Sequence, residues 1–413
     1  MKVIRHFFLL LFLGLVFKSY AQEKEQYVIL ISLDGFRYDY VQRFQPENLT
    51  KFIKLGVSAQ SLIPPFPSKT FPSHYSIATG MVPGKHGLIN NFFFDPIRRL
   101  EYKNSNPKRA QDGSWYGGKP IWVLAEENGL KAASYFFIGT EAEILGYRPS
   151  YYYNYDGGVP NMERIAKVLD WLALPDGQRP RFISLYFSDL DDTGHRYGPE
   201  NDEKIEEAVL RLDAELGVLF NAAKQTGLDV NILVVSDHGM VNIRKDNLLD
   251  VESVLEGLPL EYYNNGSVLH IYLNKYKDKA KIRRRIRKNL QHVKVVNPRS
   301  KKYYGDAGDN NSKLGDLMLI PDLGYYLIDK SGFVKYNQRS RMFDTDIFGE
   351  HGFHPKFKEM HGIFYANGPA IKNGIEINSF ENIHIYPFIC EILNLPIPDH
   401  IDGDVSVLQG LVE

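Results

Sequence analysis

Four stretches of the chain place hard metal-ligand side chains at or near the end of an apolar run. Asp34 closes the run 27–33, and Asp191 and His195 stand four residues apart just beyond the run 181–187. Asp237 and His238 close the run 230–236, and His361 sits in a late stretch punctuated by glycine. Carboxylate oxygen and imidazole nitrogen are donors that zinc takes at about 2.0–2.2 Å. The single cysteine, Cys390, excludes thiolate ligation as well as an internal disulfide. Three Asp and three His are more than one four-coordinate ion uses, so two metals are expected. Each piece alone has an ordinary structural explanation: Asp-Gly marks a turn, and an adjacent Asp-His is commonly a hydrogen-bonded pair. The specificity lies in the set.

A nucleophile is the second element. Ser68-Lys69-Thr70-Phe71-Pro72-Ser73 follows a proline-rich stretch, 64–67, and leads into a helical stretch ending at Thr79. Thr70 therefore falls near a helix N-terminus, where free backbone N–H groups favour an anion. A threonine alkoxide there could attack phosphorus. Taken alone, the segment reads first as Thr70 or Ser73 capping its helix.

These side chains need a scaffold that brings them together. The runs 27–33, 181–187 and 230–236 are continuous, apolar and rich in β-branched residues, the pattern of buried parallel strands. Helical stretches lie between and around them: 120–128 opens with proline and stops at Gly129, and 161–172 and 202–224 are periodic. Alternation of this kind predicts an α/β fold: a central, mostly parallel sheet with helices on both faces. Such sheets place their sites outside the carboxyl ends of the strands, where Asp34, Asp191 and Asp237 fall. From about 256 to 321 the character changes to a small α/β insertion, with strands at 268–273 and 317–320, a basic helix at 279–290 and a loop at 299–313. The arginines and lysines of that helix read as a solvated face.

The bulk numbers narrow the class. Of 413 residues, 44% are hydrophobic and 24% charged, enough to bury a sizeable core. The net charge of −1 gives no sign of a nucleic-acid polymer or an anionic membrane as partner. Lys2 and Arg5 precede an apolar run, 7–17, and then Ser19-Tyr20-Ala21. That is the layout of a cleaved signal peptide over 1–21, which makes 22–413 a periplasmic or secreted domain.

Taken together, the motifs resemble the nucleotide pyrophosphatase/phosphodiesterase family of the alkaline phosphatase superfamily. The matching stretches run in order: Ser32-Leu33-Asp34-Gly35, Lys69-Thr70-Phe71-Pro72, His86 to Asn91 with Asp95-Pro96, Asp191 to Pro199, Ser236 to Met240, and Met360-His361-Gly362-Ile363-Phe364 with Gly368-Pro369. The stretch 382–395 is similar to the family's C-terminal helix. The resemblance implies an alkaline-phosphatase-like fold with two zinc ions. One would be held by Asp191, His195 and His361, the other by Asp34, Thr70, Asp237 and His238. Thr70 would be the nucleophile of a phosphothreonine intermediate. Asn91 would donate to a nonbridging phosphate oxygen, and Phe71 and Tyr186 would line the leaving or retained group. Asp189, His351 and His354 are given no ligand role.

The expected reaction is hydrolysis of a phosphodiester or pyrophosphate, on nucleotides or related small diesters. Asn91 is a neutral donor where a monoester dianion would want another cation. Choline- or lipid-type diesters, a zinc phosphomonoesterase of the same superfamily, and a non-catalytic binding protein are the alternatives, in falling order. Relatives that handle nucleotides often carry Phe-Trp-Pro-Gly where this chain has Phe136-Phe137-Ile138-Gly139, and the run 151–155 reads equally as a substrate rim or a packed loop.

Overall fold

The computed structural model describes residues 25–413, so the expected signal peptide at 1–21 lies outside the described residues. The strand Gln26–Leu33 is flanked in parallel by Phe182–Phe187 and Asp229–Val235. Its residues alternate between two cores: Val28 and Leu30 pack on one face of the sheet, and Ile29, Ile31 and Leu33 on the other. A strand buried on both faces has no polar side to spare, hence the unbroken apolar runs. The full sheet has eight strands, in the order Ile375–Ile377, Val57–Ala59, Phe364–Asn367, Asp229–Val235, Gln26–Leu33, Phe182–Phe187, Ala132–Tyr135 and Tyr151–Tyr153. Only Phe364–Asn367 runs against the others. Helices Thr70–Thr79, Ile121–Glu127 and Ile385–Leu393 cover one face, and Glu47–Lys54, Asn161–Leu172 and Asp202–Gln225 the other.

The insertion is a four-stranded antiparallel sheet, ordered Leu260–Asn264, Leu269–Leu273, Leu317–Pro321, Val293–Val296. Helix Lys279–Asn289 lays Ile282 and Ile286 on it. Its separate core reaches Val251 and Leu327, a little beyond 256–321 on both sides. The stretch 299–313 is not plain loop: it forms the short helix Lys301–Tyr304 and a 3₁₀ run, Gly308–Leu314. A two-stranded ribbon, Val241–Arg244 against Ile347–Glu350, brackets the insertion in sequence.

The stretch that bears Asp191 and His195 is a helix from Asp189 to Tyr197. Asp189, Asp191 and Asp192 fill its first turn, where negative charge opposes the helix dipole's positive end, and Gly198 ends it at φ 82°. The helix sets Asp191 and His195 on one face, one turn apart. Among the described residues no helix is long and apolar enough to cross a membrane.

Candidate active site

Three neighbouring parallel strands deliver the acidic groups to one edge. Asp34 follows Leu33, Asp237 lies two residues past Val235, and Asp191 lies in the helix that begins just after Phe187. Gly35 makes the approach possible: its φ is 70°, and a Cβ there would stand 2.8 Å from the Asp191 Cα. The Asp191 N–H donates to the Asp34 carbonyl at 3.0 Å, and the Gly35 N–H to Asp237 Oδ1 at 3.2 Å. Thr70 opens the Thr70–Thr79 helix with its Oγ1 3.3 Å from His238 Nε2.

Histidine tautomers decide which rings can bind a cation. A carbonyl oxygen only accepts, so a ring nitrogen bonded to one carries a proton, and a neutral ring then offers its lone pair at the other nitrogen. His195 Nδ1 donates to the Gly349 carbonyl at 2.7 Å, His238 Nδ1 to Gly239 at 2.9 Å, and His351 Nδ1 to Ser68 at 2.9 Å. All three Nε2 atoms face carboxylates. His195 Nε2 is 3.4 Å and His351 Nε2 3.8 Å from Asp191 Oδ1. His238 Nε2 is 3.0 Å from Asp237 Oδ2 and 3.3 Å from Asp34 Oδ1. Those same three oxygens, Asp34 Oδ1, Asp191 Oδ1 and Asp237 Oδ2, are buried and accept no hydrogen bond. Lone pairs converging on unpaired buried anions are what a cation site requires, and the donor set suits zinc.

The electrostatics carry the same signature. Burial pushes the Asp34 carboxyl well above its ordinary range, and the charges of Asp237 and Asp191 push it further. Burial also works to raise Asp237, but His238 and His74 overcome it and hold that carboxyl low. Burial lowers His351 well below the usual imidazole value, and His238 and Lys69 lower it further. Beneath His195, burial would raise Glu350, yet His195 and Lys69 hold it below the usual carboxylate range.

His361 does not join this cluster. It lies at the right edge, because the strand it precedes runs against the others, but its Nε2 donates to the Pro355 carbonyl at 2.7 Å and its Nδ1 meets Ser61 Oγ at 2.8 Å. Both its nitrogens are turned to those partners, and it is His351, its ring stacked on His238 at 3.6 Å, that stands with Asp191 and His238 where the third donor beside Asp191 and His195 was expected. The stretch Glu350-His351-Gly352 ends a strand as Asp237-His238-Gly239 does, and that shared pattern is the signal in the sequence.

His74 also stands beside Asp34 and Asp237. It is no ligand by the same reasoning. Its Nδ1 faces Asp237 Oδ2 at 3.3 Å and the Thr70 carbonyl at 2.8 Å, so it is protonated, and Nε2 accepts from Ser32 Oγ at 2.7 Å. His74 therefore lies against Asp237 and ties down the Thr70 backbone.

A cavity of about 480 Å³ opens above Thr70, Asp34 and Asp191. Phe71, Phe136 and Tyr155 supply aromatic wall, and Asn91, Gln111 and Asn154 supply amides. The tyrosine run divides: Tyr151–Tyr153 is an edge strand, while Asn154 and Tyr155 face the cavity. Tyr186 lines the wall too, but its hydroxyl is committed to Asp34 Oδ2 at 2.6 Å. Asn91 Oδ1 accepts the Phe71 N–H at 3.1 Å, which leaves the amide hydrogens of Asn91 free to donate. Neither Lys69 nor Arg196 lines the cavity. Lys69 is buried toward the Tyr326 ring, and Arg196 pairs loosely with Asp192.

An open α/β sheet with acid and imidazole donors gathered at its carboxyl edge is the alkaline-phosphatase-like arrangement. Residues 28–354 match the type I phosphodiesterase / nucleotide pyrophosphatase family, and the chain belongs to it. It is 33% identical to the venom phosphodiesterase CdcPDE of Crotalus durissus collilineatus, over 94% of this chain and 46% of that one. It is 34% identical to an uncharacterized pyrophosphatase/phosphodiesterase of Schizosaccharomyces pombe, over 89% of this chain and 77% of that one. Among solved structures, murine ectonucleotide pyrophosphatase/phosphodiesterase 5 superposes with a TM-score of 0.84 at 25% identity, covering 94% of this chain and 100% of that chain. An inactive threonine-to-alanine variant of that murine protein was solved in complex with AMP. The chain spans less than half the length of the venom relative.

Proposed function

We propose that the chain is a secreted or periplasmic, two-zinc phosphodiesterase that hydrolyses phosphodiester or pyrophosphate bonds of nucleotides through Thr70. The observation that carries this reading is the convergence of three imidazole Nε2 atoms and three carboxylate oxygens without hydrogen-bond partners beside the Thr70 hydroxyl. Asp191, His195 and His351 would hold one ion, and Asp34, Thr70, Asp237 and His238 the other. Such ions neutralise charge on the transferring phosphoryl group and lower the pKa of a bound hydroxyl.

The chain's own residues do the rest. The helix beginning at Thr70 presents Oγ1 at the cavity floor, with the Thr70 carbonyl tied by His74. Oγ1 bonds to phosphorus as the bond to the leaving oxygen breaks, and water then cleaves the phosphothreonine and restores the hydroxyl. Asn91 Nδ2 donates to a nonbridging oxygen, held in that orientation by the Phe71 backbone. Phe71 and Tyr155 offer faces for a flat base, and the wall amides can read its edge. The AMP complex of the murine relative supports a nucleotide as the bound group.

A diester carries one negative charge, and no cationic side chain lines the cavity to compensate a second. A nitrophenyl nucleotide diester should therefore exceed nitrophenyl phosphate in kcat/KM by at least about a hundredfold, or roughly 2.7 kcal/mol of barrier. Elemental analysis should return about two zinc per chain, as a two-metal site requires. Comparable rates on both substrates would favour a phosphomonoesterase instead.

A further inference from the structure

We infer that the basic helix of the insertion, Lys279–Asn289, with the two grooves that flank it, is a binding surface for single-stranded nucleic acid. Nine lysines and arginines fall between positions 275 and 288, against one acid, Asp278. Among the described residues, none of the nine has a carboxylate within 4.0 Å. Neighbouring cations in the same unit are paired: Lys294 with Asp322, Arg299 with Asp316 and Lys301 with Asp306. In a chain of net charge −1, this is a segregated and uncompensated positive patch.

Its shape selects the ligand. One groove, of about 660 Å³, runs past Tyr276, Lys279, Arg283 and Arg287. The second, of about 520 Å³, shares Arg283 and Arg287 and continues past Lys302 to Tyr303. The two grooves meet at Arg283 and Arg287, so phosphates in either would face the same two guanidinium groups. Tyr276 is 66% exposed, with the Lys279 ammonium 4.8 Å from its ring centroid, an aromatic platform beside a cation such as single strands use. A membrane surface is disfavoured on the same observations. The helix has spent its apolar residues, Ile282 and Ile286, on its own sheet, so it has no apolar face left to insert. The second groove ends at Tyr303, whose ring packs 5.3 Å from Phe66 and 6.2 Å from His354.

The test uses the full mature chain and a labelled phosphorothioate oligothymidylate of about twelve nucleotides, within the ~4–16-nucleotide range of such sites. Four engaged cations give a salt slope of about −2.8, so binding should weaken about fiftyfold between 50 and 200 mM salt. The double variant Arg283→Glu/Arg287→Glu should weaken binding at least tenfold and reduce the slope to about −1.4. Its kcat/KM on a nitrophenyl nucleotide ester should not change, and that constancy also shows the variant to be folded. Binding only to phosphatidylglycerol vesicles would overturn the proposal in favour of a lipid surface. Absence of strand binding, or strand binding indifferent to the double variant, would overturn it outright. Strand binding lost in the variant supports it even where the nucleotide ester is not hydrolysed, in which case the variant's folding is checked by its unfolding midpoint.

Discussion

His351→Ala and His361→Ala should behave as opposites, and the pair tests the tautomer argument on which the metal site rests. His351 offers an unprotonated Nε2 toward Asp191, whereas both nitrogens of His361 are bonded to Pro355 and Ser61. Loss of an outer partner of a metal ligand typically costs about 10–100-fold in affinity, so loss of a direct donor should cost at least about a hundredfold. A hundredfold is about 2.7 kcal/mol. His361→Ala instead removes two ordinary hydrogen bonds at about 1 kcal/mol each, a loss of about 2 kcal/mol in stability. The assay is zinc content after dialysis against graded chelator, beside urea unfolding of the zinc-loaded proteins. His351→Ala should release one equivalent at far lower chelator concentration than the parent. His361→Ala should keep both equivalents and shift only its unfolding midpoint. Because the His351 ring also stacks on His238, His351→Gln serves as the less disruptive second variant. If His361→Ala loses an equivalent while both His351 variants keep two, the reasoning fails.

Thr70→Ala should abolish turnover without unfolding the protein, and an unchanged rate would show that water attacks directly. His74→Asn should retain two zinc per chain but weaken one of them about 10–100-fold, since His74 supports Asp237 from outside the coordination sphere; complete loss of one equivalent would make His74 a ligand after all. Burial lowers His86 to about 3 and His270 to about 4 from the ordinary 6.5. Between those values and 6.5 the unfolded chain binds protons that the folded chain does not, so stability drops as pH is lowered, by about 1.4 kcal/mol per unit for each residue. From pH 7 to 5 that amounts to about 2 kcal/mol each. His270→Gln should remove one such share from the pH dependence of the urea midpoint, and an unaltered dependence would refute the assignment.

The sequence by itself determined the sheet and most of the chemistry. Strands buried on both faces must be apolar throughout, so 27–33, 181–187 and 230–236 announce themselves, and whatever polar residue ends them falls at one edge. Asp34, Asp237 and His238 were legible at that edge for that reason, whereas the helix start alone marked Thr70 as a cap, and only the family resemblance made it a candidate nucleophile. The helices 161–172 and 202–224 were legible because one-sided burial imposes a 3.6-residue period. What only the tertiary structure decided is which ring nitrogen faces which oxygen. His351 and His361 both precede glycine near the same edge, and no local pattern says that the Ser68 carbonyl, 283 positions away, frees the Nε2 of one. Nor does it say that Pro355 and Ser61 occupy both nitrogens of the other. The helix at Asp189–Tyr197 was likewise hidden, because its short, polar, glycine-containing stretch has little intrinsic preference for helix and forms where its first turn is anchored by the Asp34 carbonyl. Local chemistry is written in residue types, but a ligand set depends on long-range hydrogen bonds that fix each imidazole's proton, and those exist only once the chain has closed around them.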